Sequence, residues 1–312
     1  MLYIDKLAKQ YLAFEKSDTS DFQRKARILQ SMWRTEKGFE PGIFRGRKLG
    51  SLLPMPWAKE TLSNYLFDTI KQVVQDEVID NPNDEKLYSK PRIFNNLLSG
   101  QPLCFNLFAK LKVDLQLASK VFNALSPNRI KEVIKIEFEY SPGRRDPKYT
   151  GDRSAFDVYV EFLSDSGKKG FIGIEVKYHE NLKNKPAEMR QRYFEIASKM
   201  NCFKESALGR LQEKPLEQIW RDHLLAGSIL QADDFDDGFF VFLYPKGNNH
   251  CSQAIKDYRN CLTDSKTFED WVMEDVVSSI QQFTQDKWIY LLYDRYLNFE
   301  KLQKADQEIA GQ

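Results

Sequence analysis

Asp157, Glu175 and Lys177 are the residues whose types and spacing could do chemistry; they fall in the stretch AFDVYVEFLSDSGKKGFIGIEVKY, residues 155–178. In an extended segment successive side chains alternate between faces. Glu175 and Lys177 therefore project to one side, away from Ile172, Ile174 and Val176. In the preceding segment Phe156, Val158, Val160 and Phe162 form the apolar set and leave Asp157, Tyr159 and Glu161 opposite. If the two segments pair as a hairpin with their apolar sets facing the same way, Asp157 shares a face with Glu175 and Lys177. Their separation depends on register, which the sequence leaves open. Two carboxylates beside an ammonium suit a hard dication. Mg²⁺ is held by one or two carboxylates together with water and phosphate oxygens, lowers the pKa of a bound water and stabilises charge on a phosphodiester undergoing displacement. A nearby lysine would orient or deprotonate the attacking water, or neutralise the phosphate.

A Glu-x-Lys triplet alone means little. With Glu and Lys each at roughly 6% of residues, about one arises by chance in a chain of this length, and a strand with one wet face explains the charges equally well. Its weight comes from its place, at the end of a β-rich run, after a turn, with an aspartate near the start of the neighbouring segment.

The elements that must hold these residues follow from the flanking pattern. Residues 131–140 (KEVIKIEFEY), 155–163 and 170–178 are rich in β-branched and aromatic residues and are expected strands; SDSGKKG would make the last two a hairpin. A helix is expected over 103–125, ended by Ser126-Pro127-Asn128. Further helices are expected over 186–200 and about 215–230, followed by a fully buried strand in DGFFVFLYP from Asp237. Upstream, Ser20 and Gln23 make a capping box for a helix in which Phe22, Ala26, Leu29 and Trp33 recur at helical spacing. GFEPGIFRGRKLGSLLPMPW is too dense in Gly and Pro to continue it. A second helix is expected from about Lys59 to Val78, and DNPNDEKLYSKP is a loop by composition. Helical patterns run to the C-terminus, with Trp271, Trp288 and Tyr290 expected to pack. The chain therefore divides into a helical extension, residues 1–100, and a catalytic-type domain with C-terminal helices, residues 101–312.

At 312 residues, 42% hydrophobic and 29% charged, the composition is that of a soluble globular protein. No apolar run reaches the roughly 18 residues a membrane span needs, and MLYIDKLAKQYL lacks the clean apolar core of a signal peptide, so a cytoplasmic location without membrane contact is expected. Cys104, Cys202, Cys251 and Cys261 are scattered, which suggests neither a zinc site nor a disulfide framework. A net charge of +1 gives no global argument for nucleic-acid binding, so any such contact rests on local clusters. These are RGRK at 45–48, Arg144, Arg145 and Lys148 in GRRDPK, Lys168 and Lys169, and Lys183, Lys185, Arg190 and Arg192. The GRRDPKYTGDR loop leads into Asp157 and would overhang the site.

The order helix, three strands, helix, strand, with FDVYVEF followed by GIEVK, resembles the PD-(D/E)XK nuclease superfamily. It is most similar to an uncharacterised bacterial branch taken to be restriction endonucleases, through TGDRSAFDVYVEF, GFIGIEVKYHE and LEQIWRDHLLAGSIL. The resemblance implies an α/β restriction-endonuclease-like core, a mixed central sheet flanked by helices in αβββαβ order, with N- and C-terminal helical elaborations. It implies DNA as partner, Mg²⁺ as cofactor with Mn²⁺ an alternative, and hydrolysis of phosphodiester bonds by attack of water. The alternative on the same fold is a catalytically inactive nucleic-acid-binding or assembly protein. Carried over, Asp157 and Glu175 would ligate the metal, the Val176 carbonyl would complete its shell and Lys177 would act on the nucleophile. The proline of the motif's name is missing, since Phe156 precedes Asp157. Some members add an acid, for which Asp114, Glu137 and Glu139 are candidates, although an exposed strand face explains the two glutamates more cheaply. Gln218 and Arg221 lie on a helix that supports the site in related nucleases, sometimes with a Gln. His179 and Glu180 follow Lys177 and read first as loop residues. His223, in line with Leu216, Trp220, Gly227 and Leu230, reads as core. Oligomeric state is open, a homodimer included.

Overall fold

The computed structural model describes residues 3–80, 83, 86–183 and 187–310. From the N-terminus come α1 (Tyr3–Gln10), α2 (Asp21–Glu36), a hairpin of β1 (Gly42–Phe44) and β2 (Arg47–Leu49), then α3 (Trp57–Thr61), α4 (Asp68–Val74), α5 (Arg92–Asn95) and α6 (Gly100–Val113). Next are α7 (Leu115–Leu125), β3 (Glu132–Tyr140), β4 (Phe156–Leu163) and β5 (Lys169–Val176). Helices α8 (Gln191–Met200), α9 (Leu208–Leu211) and α10 (Glu217–Ala232) lead to β6 (Asp237–Tyr244), α11 (Asn249–Arg259), β7 (Phe268–Val272) and α12 (Met273–Phe283). Helices α13 (Lys287–Tyr296) and α14 (Glu300–Ala310) close the chain. Among the described residues no helix is long and apolar enough to cross a membrane.

The chain forms two compact units, one of Met1–Asn81, Tyr88–Ala109 and Gln285–Gln312, the other chiefly of Lys110–Thr284. In the first, Arg295 of α13 is fully buried. Its guanidinium lies over the Trp33 ring at 3.9 Å and donates to Gln30 Oε1 at 2.9 Å, Asn64 O at 2.6 Å and Asn64 Oδ1 at 2.6 Å. A buried cation needs its hydrogen-bond acceptors, and these bonds to Gln30 and Asn64 tie the last helices to the first.

The second unit is built on a five-stranded sheet in the order β3-β4-β5-β6-β7. The first three strands are antiparallel, and β6 and β7 are parallel to β5. A parallel neighbour requires a crossover, which α8, α9 and α10 supply. One face is covered by α8 and α10, whose Tyr193, Ile196, Trp220 and Leu224 share a core with Phe171, Phe240 and Phe242; α7 packs on β3 and α12 on α7. With α7, β3, β4, β5, α10 and β6 in succession, the sheet is the mixed, helix-flanked architecture of a restriction-endonuclease-like fold, in the order that the sequence predicts.

Four expectations are corrected. The helix over 103–125 is two helices broken at Asp114, whose carboxylate accepts the Leu117 N–H at 2.9 Å and caps α7. The helix from Lys59 stops at Leu62, in left-handed backbone at φ 49°, before α4 resumes and ends in a π-turn at Gln75–Asp80. The Gly- and Pro-rich segment does not continue α2, as expected, and folds into β1 and β2 around Arg45 and Gly46, at φ 50° and 78°, a left-handed two-residue turn suited to a hairpin. β7 is a strand where only helical pattern is legible. Trp271 and Trp288 pack as expected, whereas Tyr290 is exposed.

Candidate active site

The β4–β5 ladder ends with Val158 opposite Ile174. One step further lie Asp157 and Glu175. Asp157 Oδ2 accepts the Val176 N–H at 2.9 Å, which ties the strand ends together and fixes the carboxylate beside Glu175. Pairing with β6 continues through Lys177, whose N–H donates to Leu243 O at 2.8 Å. Its Nζ is 2.5 Å from Glu175 Oε1, and Gln218 Nε2 reaches the same oxygen from α10 at 2.7 Å. Glu175 and Lys177 are only 6% and 9% exposed, so these charges face no open solvent. The alternation expected along β4 does break: Phe156 stacks on Phe240, lies over Gly173 and shares a core with Tyr159 and Phe171. The neighbouring β3 residue Glu139 has left-handed backbone at φ 51°, so both strands are irregular beside Asp157.

The site crowds carboxylates. Burial, then the Glu175 charge, pushes the Asp157 carboxyl well above the usual range, with Glu139 adding to it and Lys177 opposing. Burial alone would lower the Lys177 ammonium, but Glu175, Glu180 and Asp157 outweigh it and raise it. A further acid, Asp222, stands on α10 one turn beyond Gln218. It is 3% exposed, and burial followed by Glu175 also pushes its carboxyl far up. Its Oδ2 has no hydrogen-bond partner.

A family model described as the PD-(D/E)XK nuclease superfamily matches residues 16–298, nearly the whole chain. This chain belongs to the PD-(D/E)XK nuclease superfamily. No curated protein and no solved structure gives a significant match. PD-(D/E)XK nucleases generally act with divalent metal ions. The donors here fit such an ion: they are hard oxygens, and the burial and crowding that push the Asp157 carboxyl up are what a dication relieves. Among the described residues no group of three or more His, Cys, Asp and Glu side chains is arranged to hold a metal. The fit is therefore to two carboxylates with a main-chain carbonyl, the sparse shell that Mg²⁺ fills with water and phosphate oxygens.

The other candidates of this PD-(D/E)XK chain are placed as follows. Glu139 pairs with Arg144 at 2.9 Å, and Glu137 with Lys135 at 2.9 Å. Glu180 is no free loop residue, because its Oε2 accepts the N–H groups of Tyr178 at 2.8 Å and His179 at 3.0 Å. His223 is fully buried between Tyr258 Oη and Thr267 Oγ1, both at 2.8 Å, and burial pushes it down to about 3, so it is a neutral core histidine. Arg145 is exposed in the loop before β4, while Lys148 is paired with Asp233 at 2.5 Å. Arg192 holds that loop, donating to Tyr149 O at 2.9 Å and Lys148 O at 2.8 Å. Lys168 and Lys169 sit at the β4–β5 turn, roughly 20 Å along β4 from Asp157. In the first unit Arg47 and Lys48 pair with Glu15 and Glu40. Lys183 and Arg190 are exposed, the latter at the N-cap position of α8 with no side-chain capping bond; Lys185 lies outside the described residues. Sequence reasoning missed Asp222, for which the one signal was its four-residue spacing from Gln218. It also missed Asn248, whose Nδ2 donates to Tyr178 O and Glu180 O, both at 3.0 Å.

Proposed function

We propose that this protein is a metal-dependent endonuclease that hydrolyses phosphodiester bonds of DNA by attack of water, with Mg²⁺ as its ion and Mn²⁺ as a substitute. The observation that carries this is the meeting of Glu175, Lys177 and Gln218 on one oxygen beside Asp157. Asp157, Glu175 and the Val176 carbonyl would hold the ion. When bound, it supplies an acidified water and positive charge for the phosphorane-like transition state. Gln218 fixes the Glu175 carboxylate through its amide. Lys177, held up by its acidic neighbours, would neutralise the scissile phosphate and orient the attacking water. Arg145, on the loop entering β4, is placed to meet the DNA backbone; Arg144 would first have to leave Glu139.

The test incubates the purified protein with supercoiled plasmid and linear DNA over a range of Mg²⁺ or Mn²⁺, beside Asp157→Ala and Lys177→Ala. Cleavage by the wild type is expected, with each variant slower by on the order of 100-fold or more. Equal rates in all three proteins would overturn the site. Cleavage by none would favour a nucleic-acid-binding protein that has kept the fold without the reaction.

A further inference from the structure

A cleft of about 230 Å³ opens beside the site, with Lys214, Glu217, Gln218 and Arg221 on its polar side and Leu182 and Pro215 among its walls. Gln218 belongs to both places, since the amide that lines the cleft donates to Glu175 Oε1 at 2.7 Å. The space is smaller than the roughly 300–1,000 Å³ that engulf a free small ligand, so it suits one part of a longer chain.

Arg221 shows what that part carries. Its Nη1 is 3.8 Å from Asp152 Oδ2 and its Nε 3.4 Å from Glu217 Oε1, close enough to balance charge and too long for good hydrogen bonds. Asp152 has no capacity to spare: it accepts from Thr150 Oγ1 at 2.7 Å, Ser154 N and Oγ at 2.8 Å and Tyr193 Oη at 2.6 Å. Arg221 Nε and Glu217 Oε1 are buried without a hydrogen-bond partner. Nε is turned to Glu217, and the guanidinium, neutralised at a distance and about a quarter exposed on the wall of the cleft, is suited to take an oxyanion through its terminal N–H groups. Lys214, whose Nζ is held by Lys183 O at 2.6 Å, adds a second cation against the one carboxylate, Glu217.

We infer that this cleft is a subsite for the phosphate next to the scissile one on the bound nucleic-acid strand, with Arg221 as its anion ligand and Lys214 as a supporting charge. The inference rests on the nuclease reading of Asp157, Glu175 and Lys177. It places the strand along the N-terminal part of α10, over Gln218, and the apolar wall at Leu182 and Pro215 against the intervening sugar.

The experiment measures binding and leaves cutting aside. Fluorescent single-stranded and duplex oligonucleotides are titrated by anisotropy with the full chain, Arg221→Gln and Lys214→Gln, in Ca²⁺ over a series of salt concentrations. Arg221→Gln is expected to bind roughly tenfold or more weakly, with a log–log salt slope flatter by about 0.7–0.9 for the one lost phosphate contact. Lys214→Gln is expected to flatten the slope with a smaller loss of affinity. Wild-type affinity and slope in both folded variants would overturn the subsite while leaving the nuclease reading in place. A wild-type chain that bound neither oligonucleotide would overturn the nuclease reading as well. If Arg221→Gln no longer melts cooperatively, Lys214→Gln decides, and an unchanged slope in it counts against the subsite.

Discussion

Burial, then the neighbouring Glu175, pushes the Asp222 carboxyl well above its usual range. A carboxyl whose value in the folded chain lies above its unfolded value of about 3.9 binds more protons folded than unfolded. Its contribution to stability is therefore fully present below about pH 4 and is lost as pH rises toward the raised value, by at most ~1.4 kcal/mol per pH unit. Asp222→Asn keeps the shape and removes the titration. Thermal melts in EDTA should coincide for the two proteins near pH 4, and the wild type should fall progressively below Asp222→Asn as pH rises to 8. Parallel curves would show that Asp222 ionises as freely folded as unfolded. In LEQIWRDHLLAGSIL only the four-residue spacing from Gln218 sets this aspartate apart from a wet one; its burial comes from the packing of α10. The catalytic candidates were easier, because Asp157, Glu175 and Lys177 are charges interrupting strands that are otherwise apolar.

At the scale of elements, β5 is a strand fitted closely to its neighbours. A Cβ added at Gly173 would lie 2.3 Å from the buried Phe156 ring, which adjoins Asp157 in sequence and stacks on Phe240. Gly173→Ala is expected to destabilise by about 1–3 kcal/mol, as overpacking does. It should also lower cleavage at temperatures where the variant remains folded, because the ring must move next to Asp157. Urea unfolding and a nuclease assay at matched folded fraction check the two effects, and a stable variant with full activity would show that the ring yields elsewhere. β3 to β6 and α10 were legible because runs such as GFIGIEV and DGFFVFLY can only be buried strands. β7 was not: FEDWV carries two acids in five residues, and an edge position parallel to β6 is a tertiary fact. The breaks at Leu62 and Asp114 interrupt continuous helical periodicity: Leu62 is a residue common inside helices, whereas Asp114 is a preferred N-cap whose capping of α7 the unbroken apolar pattern on either side conceals.

At the scale of the whole molecule, the return of α13 and α14 to the N-terminal helices could not be seen in the sequence, since Arg295 in LLYDRYLNFE reads as a surface charge near a helix end. In the fold it is fully buried, and Trp288 Nε1 donates to Asn106 O at 2.7 Å while Asn106 Nδ2 donates to Tyr296 Oη at 3.1 Å. Removing the guanidinium takes its donors from Gln30 Oε1 and from Asn64 O and Oδ1, although Asn64 O still accepts from Asn106 Nδ2, a loss of the kind that costs several kcal/mol. Arg295→Met, of similar length and without donors, is therefore expected to destabilise by about 3 kcal/mol or more, read as a lower urea midpoint with an unchanged slope. Truncation after Thr284 removes Arg295, Trp288 and Tyr296 together. It should leave residues 3–80 open to limited proteolysis, with cuts within α2, whose Gln30 and Trp33 face the missing side chain. If the truncated chain resisted protease there as well as the full one does, Arg295 would be a passenger and the first unit would stand on α2 to α6 alone.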